Sequence, residues 1–134
     1  MKNLPLVFSA MIVGITLFQS SLIAPSINKL VNAEDASIFL RYIWPKFFIV
    51  IAVISFISFI ILIINSNQNL FKYISLISFF LMLICYLITP MINEAKDSLN
   101  DQLWSVLHAS TIVLTLITLI INILTIVYWK RVSV

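Results

Sequence analysis

Four long apolar runs decide what this chain can become. They extend from about Leu4 to Ala24, Phe47 to Ile64, Leu70 to Thr89 and Leu107 to Tyr128. Each is close to the ~20 residues that a helix needs to cross the hydrocarbon of a bilayer. No water satisfies an open peptide group in lipid, so runs of this length fold as helices that close their own hydrogen bonds. Composition agrees, with 62% hydrophobic residues, 10% charged ones and a single glycine in 134 residues, where a soluble domain carries about a quarter charged. The expected architecture is all-α, an integral membrane four-helix bundle forming one transmembrane domain over residues 1–134, with the lipid bilayer as its first partner. The net charge of +3 is scattered between and beyond the runs; no Lys/Arg block marks a nucleic-acid surface.

The joins between runs differ in kind. S-N-Q-N at 66–69 reads as a tight polar turn that sets the second and third spans antiparallel. The segments at 25–46 and 90–106 hold all five acidic residues, and each has room for a short helix along the membrane surface. Lys2 before the first run imitates a secretory signal, but no small-x-small cleavage site closes that run, so it reads as a retained span.

One phrase occurs twice. L-I-A-P-S-I-N-K-L starts at Leu22 and L-I-T-P-M-I-N-E-A starts at Leu87, 65 positions later, with five of nine residues identical. Pro25 and Pro90 lack an amide hydrogen and bias the residue before them away from helical dihedrals. They read as exits of the first and third spans, with Asn28 and Asn93 capping the segments that follow. Two parallel helical-hairpin repeats, spans one and two then three and four, account for the pattern. Helix-exit grammar used twice accounts for it as well.

The runs are not uniformly apolar. His108, Thr111, Thr115, Thr118, Asn122 and Thr125 follow steps of three and four, as do Ser75, Ser78, Met82, Cys85 and Thr89. Each series lies along one helical stripe. Ser55 and Ser58 share a face of the second span, while Ser9, Thr16, Gln19 and Ser20 mark the first, with Gly14 as a place for close approach. Small and weakly polar side chains of this sort line helix contacts in lipid, so the stripes are expected to converge inside the bundle. Asn122 and Gln19 carry bare amides that must find partners. No Asp, Glu, Lys or Arg falls in the centre of a run, which argues against an ordinary proton-coupled pump.

The residues singled out for function or packing are His108, Arg41, Ser110, Thr115, Asn122, Gln19 and Cys85. His108 is the one histidine, at the boundary on the side of the acidic segments. Glu34, Asp35, Glu94, Asp97 and Asp101 share its layer without metal-ligand spacing, and one imidazole cannot supply two axial heme ligands. A functional His108 requires a water-reachable vestibule where the segments after Pro25 and Pro90 meet, with Arg41, Cys85, Glu94 or Asp101 nearby; a packing His108 requires one hydrogen bond to a neighbour. Pro45 reads as the first-turn residue of the second span, with Tyr42, Trp44, Trp104, Tyr128 and Trp129 as headgroup-depth anchors.

Gly14 leading into I-A-P at 23–25, Y-I-W-P-K-F-F at 42–48 and L-H-A-S at 107–110 together resemble the TMEM205-like family of small four-span membrane proteins, which carries no assigned activity and is distantly similar to copper-resistance D and HemJ-type proteins. The resemblance implies four spans over nearly the whole chain. Members commonly place an asparagine shortly after the L-H phrase, where this chain has Leu114 and Thr115, and the first span lacks the histidine of HemJ-type proteins.

Function at this level divides three ways. A helix-packing or membrane-organising component, alone or with a homo-oligomeric or membrane-protein partner, asks least of the residues. Transport or handling of a small solute or metal ion comes second, and a heme- or metal-dependent enzyme third, because spacing assembles no nucleophile, base and orienting group. An even number of spans puts both termini on one side. Lys2, Lys72, Lys130 and Arg131 there balance Lys29, Arg41, Lys46 and Lys96 on the other, where all five acids also lie. The acids tip the reading toward cytoplasmic termini.

Overall fold

In the computed structural model, which describes residues 3–65 and 69–132, apolar helices carry nearly all of the chain. They are α1 (Leu4–Phe18), α2 (Ala24–Leu30), α3 (Ala33–Asn65), α4 (Asn69–Asp97) and α5 (Asp101–Val132), with a π turn, Gln19–Ile23, joining α1 to α2. Counting α1 through α2 as one span gives four helices long and apolar enough to cross a membrane. The four-helix, all-α expectation holds. Most of the expected polar turn at 66–69 lies outside the described residues, as does Lys2.

The ends of the spans are not where prolines were expected to put them. α4 continues through Pro90 to Asp97, and Pro45 sits well inside α3 rather than in its first turn. No separate surface helix follows Pro90; Pro25 occupies the first turn of α2, which prolongs the first span to Leu30. A proline inside a helix removes one backbone hydrogen bond, a loss that packed neighbours and polar side chains make tolerable in a membrane bundle. Ahead of Pro25 the ladder lengthens instead: the Ala24 amide reaches back five residues to the Gln19 carbonyl.

Different asparagines do the capping. Asn32 Oδ1 accepts the Asp35 amide at 2.9 Å while its Nδ2 donates to Asp35 Oδ2 at 2.7 Å, which starts α3. Asn100 Oδ1 accepts the Leu103 amide at 3.1 Å and starts α5. Asn28 and Asn93, the expected caps, lie within helices. α4 stops where Leu99 takes φ 55° and the Asn100 and Leu99 amides turn back to the carbonyls of Ala95 and Lys96, the helix-ending geometry usually given to glycine.

The spans form a ring in which α3 packs on α4, α4 on α5, α5 on α1 and α1 on α3. At the terminal end the ring is shut by Leu62, Phe71 and Trp129, with Leu6 and Ile74 against them. Trp129 Nε1 donates to Asn3 Oδ1 at 3.3 Å, so both chain ends meet on one face. The middle is filled by Ile12, Phe47, Phe48, Ile51, Ala52, Met82 and Cys85. Polar stripes converge as the spacing required: Ser58 and Ser75 hydroxyls are 3.2 Å apart, and Asn122 Nδ2 donates to Ser78 Oγ and to the Thr118 carbonyl, each at 2.9 Å. Thr89, Thr115, Thr118 and Thr125 donate to carbonyls four residues back. Gly14 departs from expectation, because it faces outward with nothing within 4 Å of where a Cβ would stand.

Candidate functional site

Beyond Phe48 the ring opens toward the face opposite the termini, and the four spans enclose a cavity of about 720 Å³. Volumes of this size accommodate small organic ligands. Three helices reach it beside a proline: Ala24 precedes Pro25, Trp44 precedes Pro45 and Thr89 precedes Pro90, and all three preceding residues line the cavity. The doubled phrase thereby gains a spatial meaning. Its asparagines, Asn28 and Asn93, both line this cavity.

The walls grade from apolar to polar. Leu40, Phe48, Ile112, Leu116 and Leu119 supply hydrocarbon, whereas Arg41, Lys96 and His108 bring nitrogen donors, and no Asp or Glu belongs to the lining. Arg41 is bidentate to Asp97, with Nη2 to Oδ1 at 2.6 Å and Nη1 to Oδ2 at 3.0 Å, clipping α3 to α4. Lys96 Nζ lies 4.6 Å from the centre of the Trp104 ring, and the His108 imidazole stacks on the same indole at 5.1 Å, with 9° between planes. Trp104 thus fixes two donors through its π face. Neither the imidazole nitrogens of His108 nor Lys96 Nζ has a hydrogen-bond or ion-pair partner among the described residues.

Of the residues expected to matter, His108, Arg41 and Thr115 line the cavity. Cys85 sits behind the wall, fully buried, with its thiol 3.9 Å from the Thr111 carbonyl. Asn122 belongs to the packed seam, and Ser110 donates to the Val106 carbonyl at 2.8 Å, outside the lining. Gln19 is buried at the start of the π turn, three residues beyond Thr16 of α1; its Nε2 and Thr16 Oγ1 have no hydrogen-bond partner among the described residues. No three of His, Cys, Asp and Glu come together as a metal site among the described residues. Lys96, Trp44 and Trp104 were missed as site residues. The tryptophans read in sequence as interfacial anchors, and only their adjacency to Pro45 and His108 distinguished them.

No curated protein matches the chain, and no solved structure does. Residues 7–101 match a family described as a domain of unknown function, a stretch that begins inside α1, runs through α4 and stops at the first residue of α5, short of the L-H-A-S phrase. A four-span bundle with that match over most of its length belongs to the DUF4149 family, consistent with the TMEM205-like group of small membrane proteins.

Proposed function

We propose that this membrane protein binds a small amphiphilic molecule in the cavity between its four spans, at the face opposite its termini. One observation carries the reading: all four spans contribute walls to a single space with hydrocarbon on some sides and donors on others. A helix-packing role accounts for the Asn122 seam but leaves that space without purpose. Metal handling has no assembled ligand set among the described residues to support it. With cytoplasmic termini, the cavity faces away from the cytoplasm.

The test is native mass spectrometry of the protein extracted in mild detergent, comparing wild type with Thr115→Trp. Thr115 lines the cavity and is only partly buried, so an indole there fills space at modest packing cost. An adduct of fixed mass on the wild type that disappears from Thr115→Trp is the expected result. An adduct retained by the filled variant places binding elsewhere and overturns the proposal.

A further inference from the structure

The chemistry of the ligand follows from which charges the cavity keeps and which it excludes. Resting on the binding reading above, we infer that the molecule bound carries an anionic group, phosphate or carboxylate, joined to an apolar body, and that Lys96 and His108 receive the anion. Three basic side chains, Arg41, Lys96 and His108, line the space and no carboxylate does. Arg41 is committed to Asp97, leaving Lys96 and His108 as the free basic donors. Both are held against Trp104, which orders them without consuming a hydrogen-bonding proton.

The same rim bears neutral donors that suit an oxyanion. Asn28, Ser37 and Asn93 line it from three helices, each able to add a hydrogen bond after the charge has docked. Below them Leu40, Phe48, Leu116 and Leu119 offer no polar partner, and the hydroxyls of Thr89, Thr111 and Thr115 are spent on carbonyls of their own helices. The body of the ligand is therefore mainly apolar, with the Thr16 hydroxyl as a further polar group in the wall. A zwitterionic headgroup fits less well, because its cation would meet Lys96 with no carboxylate in the lining to offset the repulsion. The nearby acids do not reverse this balance: Asp97 is paired, and Glu94 and Asp101 are exposed and absent from the lining.

An anion of this class arrives either as a lipid headgroup or as a free ion, and one titration separates them. Protein in neutral micelles is titrated with phosphatidylglycerol, with phosphatidylcholine and with inorganic phosphate, and complexes are counted by native mass spectrometry. Phosphatidylglycerol is expected to bind at least about fivefold more tightly than phosphatidylcholine, with Lys96→Gln and His108→Ala each erasing about fivefold of that preference. Added salt should weaken the anionic lipid alone. Binding of inorganic phosphate that is lost in Lys96→Gln would identify a free anion as the source and uphold the anion site. Equal binding of both lipids, or a preference untouched by Lys96→Gln, overturns the inference while leaving amphiphile binding intact. If Thr115→Trp changes none of the complexes, the binding reading itself falls. Lys96 is exposed, so its substitution is not expected to compromise folding.

Discussion

Asn122 shows how much one side chain settles in lipid. Its Nδ2 donates both across to Ser78 on α4 and back to its own helix, and it is 2% exposed. Asn122→Ala should lower unfolding stability by about 1 to 2 kcal/mol, read by denaturation in mixed micelles, because it leaves the Ser78 hydroxyl alone in an apolar interior. Leu99 makes the opposite prediction. It holds a left-handed dihedral that costs a side-chain-bearing residue about 1 kcal/mol or more, and it is 83% exposed, so no packing offsets the strain. Leu99→Gly is expected to raise the melting temperature, despite the extra freedom that glycine has in the unfolded chain. Spacing alone made Asn122 and the threonine stripe legible, since a helix places steps of three and four on one face. His108 was legible only as a question, because its answer depended on where Trp104 stood.

Among the elements, the sequence revealed the spans more clearly than their ends. Hydropathy locates a helix core, but what stops a helix is a local competition for backbone amides. Pro45 and Pro90 lost that competition because flanking apolar sequence packs on neighbouring spans whether or not one hydrogen bond is missing. Asn32 and Asn100 won it because each meets the third amide of the following helix. Asn100→Ala should cost about 1 kcal/mol, visible as earlier thermal unfolding. The π turn admits a sharper test. Residues in a helix advance about 100° each, so deleting exposed Leu22 and restoring ordinary periodicity should rotate α2 by about that angle and carry Asn28 out of the cavity. A cysteine at position 28 would then react differently with a polar thiol reagent, whereas one at position 93 would keep its rate. The cavity itself was not legible, since it depends on how four helices diverge and no single helix encodes that divergence.

For the molecule as a whole, one end is knotted and the other is spread. The Asn3 and Trp129 contact predicts that cysteines introduced at Asn3 and Leu99 report opposite faces of the membrane to an impermeant reagent; modification of both from one side would refute the four-span topology. The ring also lacks diagonals: among the described residues the backbones of α1 and α4 do not approach, nor do those of α3 and α5. Whatever enters the open end therefore becomes the first object there that touches all four helices, like the keystone of an arch. Amide protection should follow the same asymmetry, strongest around Leu62, Phe71 and Trp129 and weakest near Asn28, Ser37 and Asn93 in detergent stripped of lipid. An occupant at about a hundredfold excess over its dissociation constant would add about 2.7 kcal/mol to the folded state, and the slow-exchanging zone would spread toward the mouth as it filled.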